Sequence, residues 1–172
     1  MTGSAQSRHP TKSLDALAEW GVVVAAAAAV IAIPVATWWL VGDQSTIKVS
    51  ADADYAFRPF DVSVGAERTA GIGSTVLAVV ALLTLAWATG GHRIDARWWM
   101  VLTPLLTAGL VVGFGWRVMT AGVIGANIGA GLVVLLGGPL VATLLIWAIA
   151  YSIHLLHLRR NARIRQLEQG RT

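Results

Sequence analysis

The sequence predicts an all-α polytopic membrane protein with four transmembrane helices and an extracytoplasmic loop between helices 1 and 2. Three observations predict it. The apolar stretches 20–41, 70–89, 98–119 and 132–156 each reach the roughly 20 residues that a helix needs to cross about 30 Å of hydrocarbon. The 172 residues are 56% hydrophobic and only 13% charged, with a mean hydropathy of +0.67, and the apolar residues are clustered rather than spread amphipathically. Arg and Lys collect in particular connections, as the rule for cytoplasmic loops requires. Arg159, Arg160, Arg163, Arg165 and Arg171 follow the last span, and Arg93 and Arg97 lie between the second and third. With an even number of spans, this predicts a multi-pass membrane protein with both termini cytoplasmic.

The first element, 1–19, is a small and polar cytoplasmic tail with Pro10, in which Ser13, Leu14, Leu17 and Trp20 suggest an amphipathic lead into the first span. Asp15 and Glu19, together with the span-length apolar run behind them, favour a retained anchor over a cleaved signal peptide. Span 20–41 is alanine-rich at 25–29, which permits close helix approach, and Pro34 predicts a kink.

Segment 42–69 is net negative and is expected outside the cytoplasm. Its start, 45–51, alternates like a short strand. Tyr55, Phe57, Arg58, Phe60 and Asp61 form a concentrated aromatic and charged cluster there, and two uses compete for it: lying on the membrane interface, or docking a partner. Asp52 and Asp54 lack the further oxygen ligands and turn glycine of a calcium loop.

Span 70–89 leads to the cytoplasmic turn 90–97, then to span 98–119, where Gly109 and Gly113 make a small-x-x-x-small pattern. Gly125 and Gly129 repeat it in the glycine-rich outer segment 120–131. The stretch from Ala121 to Ile153 is too long for one straight span, and Gly137-Gly138-Pro139 interrupts it. One kinked helix with an exposed, interfacial or re-entrant outer part satisfies the charge rule. Gly122, Gly125, Asn127, Gly129 and Arg117 are therefore the candidates for a pore lining or a packing surface. Arg117 is expected to reach the outer headgroups or to pair with Asp61 or Glu67.

The basic tail 157–172 reads as a juxtamembrane helix. Arg159, Arg160, Arg163 and Arg165 in it anchor the chain to anionic lipid, at about 1 kcal/mol per basic residue near the surface. The net charge of +4 thus points to lipid rather than nucleic acid. The eight Trp residues fall near the ends of the spans, as interfacial girdles do.

Reaction chemistry is thin. The sequence has no phosphate-binding glycine loop, no HExxH, no nucleophile elbow and no cysteine. His92, His154 and His157 share the cytoplasmic side, where solvated imidazoles need no metal or haem. No catalytic, cofactor-binding or metal-ligating residue is assigned.

The FRPFDVSV segment (57–64) and the WRVMTAGVIGANIGAG segment (116–131), with the Ala, Val, Gly, Trp and Arg bias around them, resemble small four-span integral membrane proteins of high-GC actinobacteria. The resemblance implies a bacterial inner-membrane protein and carries no activity with it. Two functions follow as expectations. The first is a non-catalytic accessory or assembly subunit of a larger membrane complex, with other membrane subunits or its own copies as partners. The second is a small oligomeric channel or transporter lined by 122–131.

Overall fold

A computed structural model of the chain describes residues 11–43, 57–58, 62–91, 94–121 and 126–169. Among them, four helices are long and apolar enough to cross a membrane. The strand expected at 45–51 lies outside the described residues.

Helix α1 (Thr11–Val41) carries Pro34 in its interior. Proline has no amide hydrogen, so the Val30 carbonyl lacks its α-helical donor. One turn on, the Thr37 hydroxyl donates to the Ile33 carbonyl at 2.8 Å, bonding back to the residue before the proline. Helix α2 (Val64–Gly90) starts at a capped N-terminus, where Ser63 Oγ accepts the Ala66 amide at 3.3 Å and Glu67 lies in the first turn. It thus begins six residues before the apolar run at Ala70. Hydropathy locates where the chain becomes greasy, whereas the cap locates where the backbone turns helical.

The α2–α3 turn is tightly bonded. The Gly91 amide donates to the Trp87 carbonyl at 2.9 Å and the Ile94 amide to the Ala88 carbonyl at 3.3 Å. Asp95 Oδ1 accepts the Arg97 amide at 2.9 Å, capping a single 3₁₀ turn (Ala96–Trp98) that feeds α3 (Trp99–Met119). The Trp99 indole N–H then donates to Thr89 Oγ1 at 2.9 Å, tying the end of α2 to the start of α3.

Beyond α3 the chain is helical again from Ala126. Helix α4 (Ala126–Leu132), a π turn (Val133–Gly137) and α5 (Gly138–Gln169) follow one another without a gap. The glycine-rich outer segment, expected as the exposed, interfacial or re-entrant part of one kinked helix, is helical from Ala126 onward. The interruption at Gly137-Gly138-Pro139 takes the form of a wider turn. Pro139 supplies no donor, and the Gly138 amide is shared between the Val134 carbonyl, the ordinary α-helical acceptor, and the Val133 carbonyl, the longer bond of a π turn. The basic tail continues α5 as helix to Gln169.

Packing assembles these helices unevenly. Ala25 and Ala29 of α1 meet Ala81 and Leu85 of α2 and Leu102 of α3, and Ala32 and Ile33 meet Ala78. The pairings run antiparallel between α1 and α2. Between α1 and α3 they run parallel, because Pro34 lies against Gly109 and Gly113. A Cβ on Gly113 would overlap the Pro34 carbonyl oxygen, and one on Gly109 would come within 3.2 Å of Pro34 Cδ. The first glycine pattern thus closes the part of α1 around Pro34 onto α3, which is what small residues do where lipid removes the hydrophobic drive. Gly71 of α2 receives the Trp39 ring in the same way.

Helix α5 runs antiparallel along α3 through Val101, Ala148 and Leu155, flanked by Trp98, Leu105 and Tyr151, and the Val133 side chain of the π turn lies against Gly115. Among the described residues it has no comparable contact with α1 or α2. Helix α1 packs on both α2 and α3, making a trio centred on α1, and α5 leans on the α3 side of it. In the most apolar stretch of the run Asn127–Gln166, which takes in most of α4, the π turn and most of α5, only 6% of residues are buried, against 22% to 39% in the other three spans.

Candidate functional site

The densest polar arrangement among the described residues is built on Arg117, in the last turn of α3, where a cation also suits the negative end of the helix dipole. Its Nε donates to the Gly42 carbonyl at 2.6 Å and its Nη2 to Glu67 Oε1 at 2.9 Å. Its guanidinium lies 4.9 Å from the centre of the Trp38 ring. The Arg117 side chain is only 13% exposed and that of Glu67 29%, so the pair is partly withdrawn from solvent. Gly42 has φ +69°, a left-handed conformation that glycine adopts freely, and it is the residue just past the end of α1. One side chain thereby joins the end of α1, the start of α2 and the end of α3.

The same corner holds the α1–α2 connection. The Phe57 amide donates to the Met119 carbonyl at 3.3 Å, while the Phe57 and Arg58 side chains are exposed. The connection is therefore fastened to the end of α3 at Gly42, Phe57 and Glu67. Tyr55, Phe60 and Asp61 of the expected cluster lie outside the described residues, so of that cluster only Phe57 and Arg58 have a place in this arrangement.

The candidate lining is described only in part. Gly122 and Gly125 lie outside the described residues, and Asn127 is exposed. Gly129 faces Val118, where a Cβ would sit 3.6 Å from its side chain. The recorded partners of the guanidinium are instead on α1 and α2. The hydroxyls of Thr37, Thr75, Thr84, Thr107, Thr143 and Ser152 each donate to a carbonyl one turn earlier in their own helix, which satisfies them without a ligand.

At the opposite end, the Arg159 guanidinium lies 5.3 Å from the centre of the Trp98 ring. Arg160 and Arg165 are exposed, and Arg163 is in the helix. The His154 ring is tilted against Tyr151 at 6.1 Å, and His157 is exposed. His92 lies outside the described residues. No group of three or more His, Cys, Asp or Glu side chains is placed to hold a metal among the described residues.

Two features escaped the sequence reading. Gly42 following an apolar helix was a legible cap signal, but nothing in the sequence aims its carbonyl at Arg117. Likewise Trp98 reads as one girdle residue of eight, with no signal for its stacking on Arg159. Chemically, these arrangements can clamp helix ends and present surfaces; they offer no nucleophile paired with a base and no ligand cage. Set beside models of known families, characterised protein sequences and solved structures, the chain finds no match.

Proposed function

We propose that the chain is a non-catalytic accessory or assembly subunit of a larger bacterial membrane complex, with both termini cytoplasmic and α5 turned toward its partner. The uneven packing supports this reading. Within the bilayer, helices associate through close contact at small residues rather than through apolar burial. The trio engages Gly71, Gly109 and Gly113 in its own contacts and leaves Gly21 and Gly73 open, and Gly131 and Gly138 on the α4–α5 run also face open space. Helix α5 also exposes Leu145, Ile146, Trp147 and Ile149.

The test is purification in mild detergent from cells expressing the full chain at its natural level, followed by native mass spectrometry. A partner at fixed stoichiometry is expected, lost in Ala142→Trp on the exposed side of α5 and kept in Val80→Trp on the exposed side of α2. A wild-type chain that travels alone as a monomer refutes the reading. A homo-oligomer without other subunits would transfer the argument to the oligomeric channel, whose own check is ion flux in liposomes that Asn127→Leu abolishes.

A further inference from the structure

Trp98 closes the 3₁₀ turn before α3 and is partly buried against Val101, Ala148 and Leu155, so its ring is held by two helices. Arg159 of α5 lies over that ring. A guanidinium stacked on an indole keeps its planar N–H edges open while losing much of its rotational freedom, which preorganises it for two-point contact with a phosphate. Arg97 precedes Trp98 in the turn and Arg160 follows Arg159, and both are exposed. Among the described residues, none of these three arginines is paired with a carboxylate. The nearest acid in the chain, Asp95, has its Oδ1 engaged by the Arg97 backbone amide.

Depth separates these arginines from the rest of the tail. Tryptophan at a span end marks the headgroup level, so Arg159 and Arg160 stand where lipid phosphates are. Because α5 continues as helix to Gln169, Arg165 lies about 9 Å further along the axis, roughly one Debye length away.

We infer that Arg159 stacked on Trp98, with Arg97 next to Trp98 and Arg160 next to Arg159 in the chain, forms a binding site for the phosphodiester of an anionic glycerophospholipid. The lipid is held at one place between the start of α3 and the middle of α5, which differs from diffuse attraction by the whole basic tail. The inference rests on the chain crossing a membrane with this end at a headgroup layer, and it is independent of any protein partner.

Native mass spectrometry of the detergent-solubilised full chain, titrated with phosphatidylglycerol or phosphatidylcholine, tests it. One phosphatidylglycerol is expected to remain under activation that strips phosphatidylcholine. Retention should fall about fivefold in Arg159→Gln and in Arg160→Gln. It should fall roughly two- to threefold in Arg159→Lys, which keeps the charge and loses the planar stack. Arg165→Gln should match wild type, and inorganic phosphate should not displace the lipid. Equal losses in Arg159→Gln and Arg165→Gln, or wild-type retention in Arg159→Lys, would establish diffuse attraction and overturn the site. Equal retention of both lipids, or displacement by phosphate, overturns it as well. A chain that stays in solution without detergent and retains neither lipid would instead show that the membrane reading itself had failed.

Discussion

Replacing Arg117 with Met keeps most of the side-chain length and removes the charge, so it isolates what the guanidinium does. A hydrogen bond from a charged donor to a carbonyl contributes about 1.5–3 kcal/mol, and the Gly42 contact at 2.6 Å is of that kind. The Glu67 pair, with its carboxylate 29% exposed, belongs nearer the surface range of about 0.2–1 kcal/mol. Stacking over Trp38 adds about 0.5–1 kcal/mol. These terms share one side chain and do not simply add, so Arg117→Met should lose about 2–4 kcal/mol. Glu67→Gln, which still offers an acceptor oxygen, should lose no more than about 1 kcal/mol. The assay is denaturant unfolding of the detergent-solubilised chain followed by tryptophan fluorescence, with limited proteolysis of the α1–α2 connection in parallel. Arg117→Met should also speed cleavage there, because the connection is fastened beside that residue. A loss below about 1 kcal/mol in Arg117→Met, or a Glu67→Gln loss as large, would refute the assignment of this corner to a carbonyl-centred clamp.

Two further outcomes are expected. Gly113→Ala places a methyl on the Pro34 carbonyl and should destabilise by about 1–3 kcal/mol, whereas Gly131→Ala meets open space in a helix and should be neutral or stabilise by up to about 1 kcal/mol; equal effects in the same unfolding assay would contradict the packing of α1 on α3. Because the chain has no cysteine, Phe57→Cys and Glu168→Cys report sidedness cleanly: a membrane-impermeant maleimide should label the first in intact cells and the second only after permeabilisation, and the reverse would invert the orientation.

Spans were legible because the physics that makes them is one-dimensional: a run of apolar residues long enough for hydrocarbon predicts its own helix, and Val41 and Met119 end helices where hydropathy also ends. Boundaries set by hydrogen bonds were harder to read. The start of α2 depends on Ser63, a single cap beyond the apolar run, and the helical state of 126–131 depends on continuity with α5 rather than on its own glycine-rich composition. Of the candidate site, Glu67 was named beforehand as a possible partner of Arg117. Gly42 and Trp38 were not, since those contacts require knowing that α1 and α3 end at the same level and side by side. Pairing across 50 or 75 positions of sequence is a property of the packed helices, not of any local pattern.

The distribution of glycines bears most directly on what the chain is for. Where a glycine is matched by a bulky group, the match is internal and specific: Gly71 takes the Trp39 ring, Gly113 takes the Pro34 carbonyl and Gly115 takes Val133. Each matched glycine lets two backbones approach, and such close approach is the main source of helix association in lipid. Gly131 and Gly138, on either side of the π turn, have no such match, as Gly21 and Gly73 of the trio have none, and the π turn lies in the span with the least burial. A helix that needed only to sit in lipid would gain from alanine or leucine at those positions, since glycine lowers helical stability by about 1 kcal/mol per residue. Under the proposed subunit reading, a neighbour on α5 would supply the contact that Gly131 and Gly138 lack, and Gly131→Leu should then weaken the complex while leaving the chain folded.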